Sequence, residues 1–369
     1  TSSLMVSTIQ DVIPFFALLV ILFYSSEIVW RSRDRRMDSI EDTTPADRRA
    51  IFVARLLTLA FLALILVVVS CLLGMITQLV SGVPEIEWNT YALLFYYLYG
   101  PLVVAAVVVL SIQNAIAGKY PGLLAATVIV VLCGTSLGTS AGITHPLVRF
   151  IHPVPVPLFE MNGYGAYATA FHWQMVYWLS AACLLILVSG RLGSTRSRHS
   201  FRGVYPACMV VFLLSGGYIV YQHDFRHPTP SGESVNDWKQ AYEQQFKRYE
   251  GMDQPAITDV KTNIRLHPEQ QRYEVQGEYE LVNRSHADID SLLIYISQES
   301  ELESMRLRRP ATMRAEGRYG HYWFRLKEPL RPGDTTRMTF SFRSGWSPFR
   351  GHTAFNSIIG NGTFIRISN

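Results

Sequence analysis

The chain has 369 residues, a mean hydropathy of +0.15 and 17% charged residues, below the roughly 25% that is typical of soluble domains. Residues 1–223 hold 23 of the 62 charged side chains, and residues 224–369 hold the other 39. This distribution excludes a simple soluble enzyme, and it also excludes a bundle of membrane helices alone. The net charge of +4 gives no strongly basic surface, so we expect no nucleic-acid partner.

Six stretches are apolar enough, and close to long enough, to cross a bilayer, which takes about 20 helical residues. They are residues 12–30, 56–80, 93–115, 123–141, 166–189 and 205–221. The loops after the first, third and fifth stretches hold eleven Lys or Arg residues, whereas the two alternate loops hold only Arg149. This asymmetry predicts cytoplasmic loops at 31–50, 116–122 and 191–204 and an external N-terminus. Because an external start without a basic n-region is not a secretory signal, we expect a fragment that another span precedes.

The first cytoplasmic segment, residues 31–50, mixes arginines with a few apolar residues. Met37 and Ile40 lie three residues apart and would share one face of a short helix, which Pro45 ends. The segment is either a solvated connector or a helix along the membrane that presents this face to a cytoplasmic protein. The candidate contact residues are Trp30, Arg31, Arg35, Met37, Asp38 and Ile40.

Polar side chains inside the spans are candidates for a translocation path. Gln113 and Asn114 lie near the inner end of the third span, and His172 and Gln174 lie early in the fifth. Polar groups in hydrocarbon are costly and often face the interior of a bundle. Hydrogen bonding between helices explains such residues equally well, so both interpretations stay open.

The sequence His-Asp-x-x-His at residues 223–227 has the spacing of a zincin motif, but we predict that it binds no metal. The zincin general base is a glutamate, whereas the acid here is Asp224, and Pro228 follows the second histidine directly. By resemblance to that family, the third ligand would fall at Phe246, which cannot coordinate zinc. The four cysteines lie in apolar runs and are expected to be buried thiols. We therefore expect no catalytic residue, metal or cofactor in this chain.

Residues 224–254 are predicted to form a linker and a juxtamembrane amphipathic helix, and residues 255–369 an external β domain. The helix carries an apolar stripe, which we expect to pack on the next domain or on the membrane interface: Val235, Trp238, Tyr242, Phe246 and Tyr249. Beyond it the apolar residues alternate: Val260, Thr262, Ile264, Leu266; Tyr273, Val275, Tyr279, Leu281; Leu292, Ile294, Ile296; Tyr322, Phe324, Leu326; Met338, Phe340, Phe342. The predicted fold is thus a membrane α-helical bundle of about six spans (residues 1–223) followed by an external all-β, sandwich-like domain.

Several motifs, in their order along the chain, resemble those of type-2 ABC transporter permeases. Residues 27–31 (Glu-Ile-Val-Trp-Arg) with 37–40 (Met-Asp-Ser-Ile) resemble the coupling segment, and residues 119–122 (Lys-Tyr-Pro-Gly) resemble the turn between two spans. Residues 161–165 (Met-Asn-Gly-Tyr-Gly) resemble an external loop of a bacterial subgroup whose permease is fused to an aminopeptidase N-like (gluzincin) domain. Residues 264–281 and 326–334 resemble strands and a turn of the N-terminal β domain of such enzymes, and residues 361–364 the segment before their catalytic domain.

The resemblance implies a permease in a bacterial inner membrane, with a periplasmic C-terminal domain. It implies three partners: a cytoplasmic ABC ATPase subunit, a second permease half or a second copy of this chain, and the lipid bilayer. ATP would bind the ATPase subunit, since no Gly-x-x-x-x-Gly-Lys-Ser/Thr occurs here. Zinc is expected only in a catalytic domain beyond Asn369, because His-Glu-x-x-His is also absent.

Two other functions remain open. One is a membrane-anchored zinc aminopeptidase whose catalytic domain lies beyond the C-terminus and whose spans only tether it. The other is an anchor or mechanotransducer, in which ATP hydrolysis inside the cell drives a periplasmic partner without transport.

Overall fold

The computed structural model describes residues 1–35, 37, 48–151, 158, 163–165, 167–189, 203–226, 232–297, 300–316, 319–350, 358 and 363. The chain divides into two compact units. The first is Thr1–Gly232 with Pro348–Thr353, and the second is Glu233–Ser347 with Ala354–Asn369. Each unit has its own cluster of buried apolar side chains, so each is organised around its own core.

The regular structure of the first unit is mainly α-helical over its described residues. Its helices are α1 (Ser2–Asp34), α2 (Arg48–Val80), α3 (Trp88–Tyr97), α4 (Tyr99–Ala115), α5 (Lys119–Gly134), α6 (Ser136–Ser140), α7 (Tyr167–Ser189) and α8 (Val204–Val220). Only Leu98 separates α3 from α4. The chain continues from α8 into a π-helical turn, Tyr221–Arg226.

Among the described residues, five helical stretches are long and apolar enough to cross a membrane. They are Ser2–Arg31, Ala50–Val80, Trp88–Ala115, Tyr167–Ser189 and Val204–Arg226. The remaining predicted span, 123–141, corresponds to α5 and α6, which the extended backbone of Thr135 separates. Helix α5 has 16 residues, about 24 Å at 1.5 Å per residue. The structure thus confirms a set of helices that could span a membrane, whereas it does not confirm the count of six spans.

Helix α4 forms the centre of the first unit, where it packs against α1, α2, α5 and α7. Most of its side chains are buried, and it shares one hydrophobic core with these neighbours. The outward faces of the other helices carry large exposed apolar side chains, among them Phe15, Phe61, Leu124, Leu213 and Leu214. Such a surface is stable in a hydrocarbon environment and would be costly in water.

The second unit begins at Glu233, within helix α9 (Gly232–Phe246), and continues as antiparallel β structure. Its strands are β1 (Ala256–His267), β2 (Arg272–Val282), β3 (Ile289–Tyr295), β4 (Ser300–Leu307), β5 (Ala311–Glu316), β6 (His321–Leu330) and β7 (Thr335–Gly345). They form a four-stranded sheet in the order β1-β2-β7-β4 and a three-stranded sheet in the order β3-β6-β5. One cluster of buried residues draws members from both sheets, which confirms β structure with a shared core.

The alternation predicts the buried face correctly for β2, β3, β6 and β7. Val275, Leu292, Phe324 and Met338 are all buried in the core of the second unit. The prediction for β1 is wrong, because Val260, Ile264 and Leu266 are exposed. Strand β1 lies at one edge of its sheet. Ile264 and Leu266 pair with the core residues Val275 and Tyr273 of β2, but no residue of β1 belongs to the buried core.

The apolar stripe of α9 packs on the β structure of its own unit, one of the two predicted locations. The Tyr242 and Phe246 rings lie 5.6 Å and 4.2 Å from the ring of His321 on β6. Tyr249 makes an edge contact with Trp323, with 4.7 Å between the ring centroids. The helix is therefore part of the second unit, and not an isolated linker element. Val235 belongs to the same predicted stripe, but its side chain lies outside the described residues.

A buried asparagine organises one corner of the second unit. The Asn283 amide donates hydrogen bonds to the carbonyl oxygens of Ala287 (2.8 Å) and Leu330 (2.6 Å). Its side-chain oxygen accepts from the backbone N–H and the hydroxyl of Ser285, at 2.9 and 2.8 Å. The corner lies beside the turn at 331–334, where Asp334 accepts a hydrogen bond from Arg309 at 3.0 Å. Asn283 thus joins the end of β2 to the end of β6.

Candidate functional site

The predicted coupling segment begins at the end of α1. Trp30 is half-buried and packs against the core of the first unit, whereas Arg31 and Arg35 are exposed. Met37 is 48% exposed. Asp38 and Ile40 lie outside the described residues, so the shared face of Met37 and Ile40 stays a prediction.

An ion-pair cluster connects the end of α1 to the start of α5. The Lys119 ammonium lies 2.6 Å from a carboxylate oxygen of Glu27 and 3.6 Å from one of Asp34. The hydrogen bond to Glu27 raises the pKa of Lys119, which shows that the neighbouring carboxylates favour the charged ammonium. We name these three residues the Lys119 cluster. It holds the first residues of segment 31–50 against the loop between α4 and α5.

The first pair of path candidates, Gln113 and Asn114, separates into a buried and an exposed residue. Gln113 is fully buried, and neither of its amide atoms has a hydrogen-bond partner among the described residues. A Cβ atom at Gly122 would lie 2.6 Å from Gln113 Oε1, so α5 can approach this side chain only because residue 122 is glycine. Asn114 is exposed. Gln113 is thus the stronger of the two candidates for a polar group on a translocation path.

The second pair, His172 and Gln174, lies at the other end of α4. His172 is exposed, and its Nδ1 atom lies 2.9 Å from the Tyr96 hydroxyl. Its ring belongs to an aromatic group with Tyr97, whereas Gln174 is buried. Between Tyr99 and Gln113, α4 rises about 21 Å. The structure therefore does not bring the four path candidates together.

The structure shows a cluster of ionisable side chains that the sequence does not predict. His145, in the loop after α6, lies beside His223 and Asp224 in the π-helical turn after α8. His223 Nδ1 lies 2.8 Å from Asp224 Oδ1, and His145 Nε2 lies 3.4 Å from the same oxygen. The two imidazole rings lie 5.0 Å apart. We name these three residues the His145 cluster.

The His145 cluster differs from the zincin-like motif at residues 223–227. His227 lies outside the described residues, and the nearby second imidazole is that of His145. His145 is far from His223 in the sequence, so motif spacing could not identify it. The only signal in the sequence was a polar histidine in the loop that carries Arg149.

Burial and hydrogen bonding determine the tautomer of His145 and the direction in which its pKa shifts. Its Nδ1 atom accepts a hydrogen bond from the backbone N–H of Leu147 at 3.2 Å, so the neutral ring carries its proton on Nε2, facing Asp224. Burial lowers the pKa of His145, and the Asp224 carboxylate opposes that shift. A neutral imidazole is the form that binds metal ions.

Comparisons with known proteins do not assign a family. No protein-family model matches the sequence, and no curated protein matches it. Among the solved structures that align with a part of it are a two-domain M1 zinc metallopeptidase mutant bound to L-arginine and an M1 zinc metallopeptidase mutant from Deinococcus radiodurans bound to a tripeptide substrate. Each alignment covers 25% of this chain and 21% of the other, at 11% identity and a TM-score of 0.22. At these values the likeness supports no inference about the activity of this chain.

Proposed function

We propose that the chain is the membrane permease part of an ABC transporter. It would couple ATP hydrolysis by a separate ATPase subunit to transport, or to the action of an external peptidase-like domain. The Lys119 cluster carries the proposal, because it ties the start of segment 31–50 to a second helix of the bundle. A force applied to the segment would then reach both α1 and α5.

The coupling requires a bundle with two packings. Closure of the ATPase subunit on ATP would move segment 31–50, and the helices would rearrange as rigid elements. Helix α1 packs against α2, α4 and α5, so a displacement of its end would reach the centre of the first unit. Gln113 on α4 lies where α5 approaches, and it is our leading candidate for a polar group on the path.

The proposal includes a finer topology than the five long helices. Helices α5 and α6 together would make the fourth of six crossings, and the N-terminus would be external. Segment 31–50 and the loops 116–122 and 191–204 would be cytoplasmic, as the eleven basic residues favour. The second unit would be a periplasmic β-sandwich, and the membrane the bacterial inner membrane. A second permease half, or a second copy of this chain, would complete the pathway.

The test is co-purification of the full chain with the ATPase encoded beside it, followed by an ATP hydrolysis assay. Met37→Asp combined with Ile40→Asp should abolish association, because burial of each apolar side chain is worth about 1.5–3 kcal/mol. Arg35→Glu should weaken association less, since exposed ion pairs are worth about 0–1 kcal/mol. A double aspartate variant that still binds and supports ATP turnover would make the segment a solvated connector.

A further variant tests where the ATPase binds. Arg196→Glu with Arg198→Glu changes the other basic loop, and loss of binding in that variant alone would place the contact there.

The Lys119 cluster is tested separately. Lys119→Glu should leave association intact but reduce ATP-driven activity, because it disconnects α5 from the segment. Lys119→Arg is the matched control, as it retains the charge.

A further inference from the structure

We propose that His145, His223 and Asp224 form a binding site for Zn²⁺ where the π-helical turn after α8 meets the loop after α6. The site goes beyond the proposed transporter function and does not depend on it. It also differs from the zincin motif, because its second imidazole is His145 and not His227.

The distances fit an ion after a small adjustment. The three ligand atoms lie within 4.8 Å of one another. Zinc bonds of 2.0–2.1 Å at tetrahedral angles place neighbouring ligand atoms about 3.3 Å apart. The separation of His145 Nε2 from Asp224 Oδ1 is 3.4 Å, close to that value. The 2.8 Å hydrogen bond between His223 and Asp224 would open by about half an ångström, as the ion replaces the shared proton, which is released to solvent.

The donor set favours a transition metal ion over Ca²⁺ or Mg²⁺. Two imidazoles and one carboxylate are typical zinc ligands, whereas Ca²⁺ and Mg²⁺ prefer sites built of oxygen atoms. Three protein ligands leave the fourth tetrahedral position to water. Ion binding requires His145 to move its proton from Nε2 to Nδ1, so it gives up the hydrogen bond from Leu147.

The local structure presents the ligands from two separate parts of the first unit. The π-helical turn places the consecutive residues His223 and Asp224 beside the same imidazole, and such turns are frequent at functional sites. His223 is 9% exposed, so its ring is already withdrawn from water. An ion bound here would link the loop after α6 to the π-helical turn after α8.

The experiment measures zinc in the purified full chain, in detergent and without a polyhistidine tag. The protein is stripped with a chelator, dialysed against ZnCl₂ and then analysed for bound metal. We expect one zinc ion per chain in the parent. His145→Ala should weaken affinity by more than about 100-fold, since loss of outer-shell partners alone costs about 10–100-fold. His286→Ala, at an exposed position of the second unit, should bind like the parent.

His227→Ala separates this site from the zincin-like pair. It should retain zinc, and loss of zinc there with retention in His145→Ala would overturn the proposal. A parent that holds no zinc would mean that the His145 cluster is only a hydrogen-bonded group, which also overturns it.

A second measurement, made on the parent chain, tests the site even if the variants fail to fold. Replacement of zinc by Co²⁺ in the parent should give the visible absorption bands of a nitrogen- and oxygen-coordinated ion. Their absence contradicts the site whatever the variants do. Zinc should also raise the melting temperature of the parent, since a ligand that binds only the folded state stabilises it.

Discussion

Both compact units have an apolar core, but they differ in the side chains that their surfaces expose. In the first unit, residues such as Phe15, Phe61 and Leu214 lie on the outside, while Gln78, Gln113 and Gln174 are buried. In the second unit, the buried core consists largely of aromatic and aliphatic residues of β2, β3, β6 and β7. The contrast indicates two different solvents, hydrocarbon around the first unit and water around most of the second. Strand β1 is the exception, with an apolar face that is exposed.

A charge on each exposed apolar surface would test this contrast most strongly. Leu214→Asp, at a residue 69% exposed on α8, should impair the insertion and packing of α8, because a charged residue at the centre of a span costs about 2.5–3.5 kcal/mol. Leu266→Asp on β1, 43% exposed, should change stability by less than about 0.5 kcal/mol. The yield of folded full chain in the membrane fraction measures both effects. An equal fall in yield for the two substitutions would contradict the assignment of two solvents.

A second prediction concerns the buried Asn283 and its contribution to the stability of the second unit. Asn283→Ala should lower the free energy of unfolding by about 3 kcal/mol, since it leaves buried carbonyl groups without donors. Pulse proteolysis of the full chain in urea measures the change. Asn263→Ala, at an exposed position on β1, is the matched control and should have little effect. Equal sensitivity of the two variants would mean that Asn283 does not stabilise the corner.

The buried amide of the first unit tests whether a polar group there has a function. Gln113→Leu should raise stability by about 1–3 kcal/mol, because it removes a buried amide without partners among the described residues. If Gln113 lies on the path, transport should fall in the same variant. Thermal unfolding in detergent, together with a transport assay in vesicles, measures both quantities. A loss of stability would show that the amide is hydrogen-bonded in the membrane, and Asn114→Leu is the control.

The smallest expected effect is a pH dependence in the second unit. The hydrogen bond from Arg309 lowers the pKa of Asp334 below its ordinary value of 3.8. The stability that this carboxylate contributes is therefore complete above that value and is lost as the pH falls through the folded-state pKa. Asp334→Asn should flatten the dependence of urea unfolding on pH in this acidic range. An unchanged profile, equal to that of the surface control Asp253→Asn, would contradict the contribution.

Hydropathy and periodicity predicted most of the elements, because both report which faces avoid water. They predicted the long helices and the stripe of α9, whose aromatic side chains pack on β6. They could not locate the break after α5, since Thr135 and Gly138 hardly change a hydropathy average. In the structure Gly138 lies against the Leu132 carbonyl oxygen, where a side chain would clash.

The remaining differences concern contacts between distant parts of the chain. The alternation in β1 shows an amphipathic strand, but alternation does not report what covers its apolar face. The separation of Gln113 from His172 follows from the length of α4, which a list of polar residues ignores. The His145 cluster joins a loop to the end of a later helix, and only tertiary structure could reveal it. The Lys119 cluster likewise joins residues that are distant in the sequence, because it pairs Lys119 on α5 with Glu27 on α1.

The central claim is that segment 31–50 faces the cytosol while the second unit lies on the other side of the membrane. Single cysteines at Ser39→Cys and Ser291→Cys, in a chain without its four native cysteines, test it with a membrane-impermeant thiol reagent. The account predicts that Ser291→Cys is labelled in intact spheroplasts and that Ser39→Cys is labelled only after lysis. If Ser39→Cys is labelled in intact spheroplasts and Ser291→Cys is not, the orientation is inverted, and the segment could not contact a cytoplasmic ATPase.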